Sequence, residues 1–91
     1  MEFRWNDWNL EHATGHGIDV DEAEEIVRSA RAPWPERPED GKFRVWGKTE
    51  FGRHLQVVYV VDSDGTVYVI HARPLNDREK TKYRKRIRAR S

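Results

Sequence analysis

The chain contains no cysteine, which rules out disulfide staples and thiolate metal sites and leaves the fold to noncovalent packing. It also lacks any apolar run long enough to cross a bilayer, and its opening residues, MEFRWNDW, do not show the cations-then-apolar pattern of a secretory leader. A cytoplasmic protein is the expectation. Hydrophobic residues are scarce at 36%, yet they include 4 Trp, 3 Tyr and 3 Phe, whose large side chains let a small core bury useful area. At 91 residues the chain is expected to form one domain, residues 1–91, well under the length at which cores divide. No internal repeat or low-complexity tract interrupts it.

The formal net charge of +1 hides an asymmetry. Residues 1–40 carry 11 acidic and 4 basic residues, whereas residues 41–91 carry 5 acidic and 13 basic. The two parts can attract each other within the fold. A polyanion arriving from outside would meet the second part, above all its cationic end.

Local signals divide the chain. Asn6 can cap a short helix that runs to about Thr14, offers Trp5, Trp8 and Leu10 to the core, and ends at Gly15 or Gly17. Asp19 and Glu22 have the spacing of a capping box, and Val20, Ala23, Ile26, Val27 and Ala30 recur at helical intervals behind it. Glu22, Glu24 and Glu25 fall on the solvated side. Pro33, Pro35 and Pro38 make residues 31–41 a connecting loop, because proline has no amide to give a sheet interior. Three runs rich in β-branched and aromatic residues follow, at 42–48, 54–61 and 66–73. Turn residues at 49–52 and 62–65 join them as antiparallel hairpins. Pro74 stops the last run, and Asn76 with Glu79 opens a terminal helix from Asp77 towards Arg88, whose most apolar positions are Tyr83 and Ile87; residues 84–91 are expected to fray. Phe3 to Trp5 can add a short strand. The expected fold is α+β: two N-terminal helices, an antiparallel sheet of three to four strands with the helices against one face, and a basic C-terminal helix.

Strand alternation assigns the faces. Leu55, Val57, Tyr59 and Val61, with Tyr68, Ile70 and Ala72 and with Phe43 and Val45, point to the core. The open face then holds His54, Gln56, Val58 and Val60, with Val67, Val69, His71 and Arg73, and with Lys42, Arg44, Trp46 and Lys48. A turn centred on Ser63 and Asp64 pairs His54 with Arg73 and Gln56 with His71.

Two imidazoles, several cations, an amide and an indole on one small face suit a particular chemistry. Cleaving RNA with its own 2′-hydroxyl as nucleophile needs a proton acceptor, a proton donor for the leaving oxygen, and cations for the charge of the transition state; no metal is required. His71 and His54 are the candidates for proton transfer, since an ordinary imidazole titrates at about 6.5. Arg73 and Arg44 can grip phosphate oxygens through the guanidinium fork. Trp46 or Tyr68 can stack an unpaired base, and Lys48, Arg53, Gln56, Arg78 and Tyr83 can add RNA contacts. The plainer reading of the same pattern is a solvated sheet face, with Tyr83 simply packed on it.

Other features have plain readings. His12 and His16 are four apart and could share a helix face, but no Glu follows His12 and no third ligand is in sight, so neither a metal site nor another cofactor is expected. A histidine bonded to nearby backbone is simpler. The basic stretch from Lys80 to Arg90 suits solubility or phosphate contact, and Gly17 marks a helix end rather than a phosphate loop.

Two motifs resemble the BrnT family of type II toxins. Trp5, His12 and His16-Gly17-Ile18, followed by an acidic helix with Glu22 and Ala23, are similar to that family's opening. His71-Ala72-Arg73 with Arg78-Glu79 and Tyr83 is similar to its Ser-Ala-Arg strand end and the helix bearing Arg-Glu and Tyr at the same spacing. Gly47 and the Gly52-Arg53 hairpin also fall where the family has them. The resemblance spans nearly the whole chain. It departs at His12 and Gly15, which stand in the Asn and Lys places of Asn-x-x-Lys-His-Gly, and the approach from Trp5 is one residue shorter. Tyr68 stands where an Arg is common, and His71 stands in place of the Ser, putting a proton-transfer group there.

The resemblance implies a RelE-like fold and an endoribonuclease that arrests translation by metal-independent RNA cleavage. Its expected partners are RNA, as free or ribosome-associated mRNA, and a cognate antitoxin. A second class fits the same sequence: a noncatalytic module of the same fold whose basic face holds nucleic acid or an acidic antitoxin segment.

Overall fold

The computed structural model describes the backbone of residues 1–90 and the side chains of residues 1–89. In chain order come α1 (Asp7–Thr14), α2 (Val20–Arg28), β1 (Glu36–Glu39), β2 (Lys42–Lys48), β3 (His54–Val61), β4 (Val67–Pro74) and α3 (Asp77–Arg90). The strands form one antiparallel sheet in the order β1-β2-β3-β4, the arrangement that short connections permit. α1 packs along β4, and α2 lies across β2 and β3. No helix among the described residues is long and apolar enough to cross a membrane.

Each helix begins where the sequence supplies acceptors for its first amides. Asn6 accepts from the Asn9 amide at 3.2 Å while the Asn9 side chain accepts from the Asn6 amide at 2.7 Å. Asp19 with Glu22, and Asn76 with Glu79, make the same reciprocal pair. These capping boxes satisfy donors that a helix start would otherwise leave orphaned. In α1 the cap also decides which side is buried. Asn9 donates to the Arg4 carbonyl at 3.0 Å, so it can be buried fully satisfied beside Ala13, and the helix turns Trp8 and Leu10 outward to 50% and 37% exposure. Alternation of apolar residues alone places those two inside.

The core joins Ile18, Ala23, Ile26 and Val27 to Val45, Leu55, Val57, Val69 and Ala72 of the sheet. Fully burying a residue such as Ile26 or Leu55 contributes about 1.5–3 kcal/mol. Gly47 permits the close approach of α2, because a Cβ there would lie 3.0 Å from Ile26 Cδ1.

The fold departs from the sequence expectation in four ways. The proline segment is not all loop: Glu36–Glu39 pairs with β2 at the sheet edge, where Pro38 has no interior partner to disappoint. In β4, Val58 faces His71 and Tyr59 faces Val69, so Ile70 is an extra residue. This bulge inverts side-chain parity in the first half of the strand. Val67 and Val69, which simple alternation turns to the open face, are 3% and 0% exposed, while Tyr68 and Ile70 are only half-buried. His71, Ala72 and Arg73 lie beyond the bulge and keep the expected sides. Third, α3 does not join the other helices on one face. It crosses the opposite face, tied by Arg73 to Glu79, by Arg86 to Glu36, and by Tyr83 against Trp34 and His54. α3 is continuous to Arg90; Ser91, the end of the stretch expected to fray, lies outside the described residues. Phe3 makes a single parallel bridge to Val67 rather than a strand.

Candidate functional site

The register sets three rows of side chains on the face that α3 crosses. Arg44, Val58 and His71 form one row, Trp46, Gln56 and Arg73 the next, and Lys48 with His54 the third. Neighbouring rows are two residues apart, or about 7 Å.

The middle row is knitted together. Gln56 Oε1 accepts from Trp46 Nε1 at 2.9 Å and from Arg73 Nη2 at 3.2 Å. Arg73 also donates to both Glu79 oxygens, at 2.8 and 2.7 Å, the parallel geometry that makes guanidinium–carboxylate pairs strong. The guanidinium holds the Glu79 carboxyl down to about 2. Trp46 is only 9% exposed and stacked on Trp34, so it forms the floor of the site and offers no open ring face to a base.

Between this face, β1 and α3 opens a cleft of about 660 Å³. Arg44, Arg73, Arg78, Lys82 and Arg86 line it, against the carboxylates Glu36 and Glu79. Glu36 accepts from Arg44 at 3.2 Å and from Arg86 at 2.6 Å, and these bonds, that of Arg86 first, hold its carboxyl below the usual range. Arg44 Nε is buried with no hydrogen-bond partner. Arg78 and Lys82 have no ion-pair partner among the described residues. With five cations against two carboxylates the cleft is net positive, the field that draws a polyanion.

Beyond Tyr83 a second recess of about 450 Å³ is lined by Arg31, Lys48, His54, Tyr83 and Arg84 among others. The Tyr83 ring meets Trp34 and the edge of His54. Burial lowers the His54 pKa, and the cations Arg84, Lys48 and Lys80 lower it further.

His71 lies apart from His54. The row of His71 is four residues along β3 from the row of His54, roughly 13 Å at the rise of a strand. The pairing of His54 with Arg73 and of Gln56 with His71 is therefore replaced by Gln56 with Arg73 and Val58 with His71, and the two imidazoles cannot serve one phosphate together. The bulge and a longer turn cause the shift, since Val61 pairs with Val67. His71 instead meets His16, from the loop between α1 and α2, with ring centroids 5.9 Å apart and an edge-to-face arrangement. Burial lowers the His71 pKa, with smaller contributions from His16 and Arg73. His12 and His16 do not share a helix face, because α1 ends at Thr14. His12 stacks on Trp8 at 3.9 Å, with Nδ1 2.7 Å from the Trp8 carbonyl oxygen. No three metal-ligating side chains cluster among the described residues.

Of the residues the sequence singles out, Arg44, Trp46, Gln56, Arg73 and Arg78 share the cleft, and Lys48, His54 and Tyr83 share the second recess. His71 and Arg53 line neither; His71 lies one row from Arg73, beside His16. Arg53 turns to the opposite side and donates to both oxygens of Glu22 and to the Gly17 carbonyl, pinning α2 and its leading loop to the first hairpin. The sequence does not single out Glu36 for the cleft or His16 for a place beside His71, and it offers Lys82 and Arg86 only within the basic stretch Lys80 to Arg90. The cationic periodicity of α3 was their one legible signal; β1 and the path of the loop after α1 were not legible.

No protein-family model matches the chain, and no curated protein or solved structure does either.

Proposed function

We propose that the chain is a RelE-like ribonuclease toxin of a type II toxin–antitoxin system, with the cleft under α3 as the seat of the RNA backbone and a cognate antitoxin as its natural inhibitor. The observation that carries this reading is the convergence of five cations from β2, β4 and α3 on one cleft. Arg44 and Arg73 present guanidinium forks to the scissile phosphate and offset the negative charge that grows on its oxygens as the 2′-hydroxyl attacks. Arg78 and Lys82 hold the adjoining phosphates. Guanidinium charge does here what a metal ion does in other nucleases, and His71, one row from Arg73, supplies a nitrogen for proton transfer.

A second reading has its own supporting observation. Arg73 is already paired with Glu79, and Arg44 and Arg86 with Glu36, so a phosphate must compete with internal carboxylates. That suits a noncatalytic module that holds nucleic acid or an acidic antitoxin segment through Arg78 and Lys82, which have no ion-pair partner among the described residues. The test is to incubate the purified chain with single-stranded RNA, alone and on translating ribosomes, in EDTA. The toxin reading expects strand scission that Arg73→Ala abolishes. Salt-sensitive binding with no product in either setting would leave the binding module in its place.

A further inference from the structure

We propose that His16 and His71 are the proton-transfer pair of this site, so that the loop between α1 and α2 contributes a catalytic residue. The inference rests on the ribonuclease reading above. An acid and a base serving one phosphodiester must each come within hydrogen-bond reach, about 2.6–3.2 Å, of the attacking and leaving oxygens of the same phosphorus. Two imidazoles with ring centroids 5.9 Å apart in an edge-to-face arrangement are close enough to meet that demand at a phosphate seated against both rings. His54, four residues along β3 from the row of His71, does not. Arg73 is the next same-face residue to His71 along β4, about 7 Å along the strand, and its guanidinium must leave Glu79 to meet that phosphate.

The two histidines differ in setting, which assigns their roles. His71 is half-buried on the sheet. The charged groups that act on it are His16 from the loop and Arg73 from its own strand, with Arg44 in the same row two strands away. A neutral His71 takes the proton of the 2′-hydroxyl as O2′ bonds to phosphorus, and the bond from phosphorus to O5′ breaks. His16 is exposed and gives its proton to the departing O5′. The products are a 2′,3′-cyclic phosphate and a 5′-hydroxyl. The pair is left with its proton on the other ring and is reset by exchange with water.

The experiment compares the full chain with His16→Gln, His71→Gln and His54→Gln in two ways. The first is single-turnover RNA cleavage against pH. His16→Gln and His71→Gln should each lower the rate by about 100-fold or more and remove one limb of a bell-shaped profile, whereas His54→Gln should keep both limbs. A two-limbed profile in His16→Gln overturns the proposal. The second is an NMR titration of the imidazole signals without RNA, which needs no activity: removing His16 takes a like charge from His71, so the His71 midpoint should move to higher pH. An unmoved midpoint rejects the pair even if the chain cleaves RNA, while a moved midpoint with no cleavage by the wild type sinks the ribonuclease reading and the catalytic role together.

Discussion

Arg73 and Glu79 meet through two parallel hydrogen bonds, at 2.8 and 2.7 Å, that join the last strand to the helix crossing it. The same carboxylate accepts from the Asn76 amide at 3.0 Å, so one side chain both closes the first turn of α3 and occupies one of the cations of the cleft.

Separating these two tasks gives the first prediction. Glu79→Gln keeps an oxygen for the cap, since glutamine also completes a capping box, but gives up the charge. It should lower stability by about 1 kcal/mol, against about 1–3 for Glu79→Ala, which loses the cap bond as well. If RNA phosphates compete with Glu79 for Arg73, Glu79→Gln should also bind RNA more tightly than the wild type. Denaturant melts and filter binding at fixed salt read the two effects. Acid supplies a further check: because the Glu79 carboxyl is held down to about 2, its stabilisation is complete above the ordinary glutamate range and fades as pH falls from there towards 2. That part of the acid slope should vanish in Glu79→Gln.

The histidines predict a second pH dependence. His54 and His71 both have lowered pKa values in the fold, mainly from burial. The unfolded chain therefore takes up their protons first, and stability should fall as pH drops below the unperturbed value of about 6.5 and through the folded values. His54→Gln should flatten this fall. Urea midpoints at a series of pH values between neutral and mildly acid would show it; a curve that stays level for the wild type would contradict the burial of both rings.

Close packing under Gly47 gives a third. Gly47→Ala drives a methyl group against Ile26 Cδ1 and should cost about 1–3 kcal/mol. Ile26→Val removes that carbon and alone should cost about 0.5–1.5 kcal/mol. The double variant should lose less than the two together, a favourable coupling measurable in a double-mutant cycle.

The architecture and the sidedness of the site differ in how far the sequence disclosed them. Capping residues at Asn6, Asp19 and Asn76 announced all three helices, and β-branched runs announced β2, β3 and β4, because these signals act within a few residues. The bulge at Ile70 left no local mark, so alternation misassigned Val67 and Val69 and misaligned His54 with Arg73. β1 was hidden by Pro38, which an edge strand tolerates and an interior one does not, and by Pro33 and Pro35 just before it. The pairing of Arg73 with Glu79, and the approach of His16 to His71, depend on where α3 and a loop travel in space, which no short-range pattern encodes.

Arg53 and Lys82 supply a fourth prediction, since both look like nucleic-acid contacts in the sequence. Arg53 is spent on Glu22, so Arg53→Ala should lower stability by about 0.5–1 kcal/mol and leave the salt dependence of RNA binding unchanged. Lys82 lines the cleft without an ion-pair partner among the described residues. Lys82→Ala should leave stability nearly untouched and reduce the slope of log affinity against log salt by about 1. Equilibrium binding over a range of salt concentrations distinguishes them.

The central claim, that guanidinium groups in the cleft drive phosphodiester cleavage, is tested most directly by the chemistry of RNA ends. Treated with the wild-type protein in EDTA, free or ribosome-bound RNA should acquire 2′,3′-cyclic phosphate and 5′-hydroxyl termini, and a folded Arg73→Ala variant should produce neither. Undiminished termini from that variant, or none from the wild type in either setting, would contradict it.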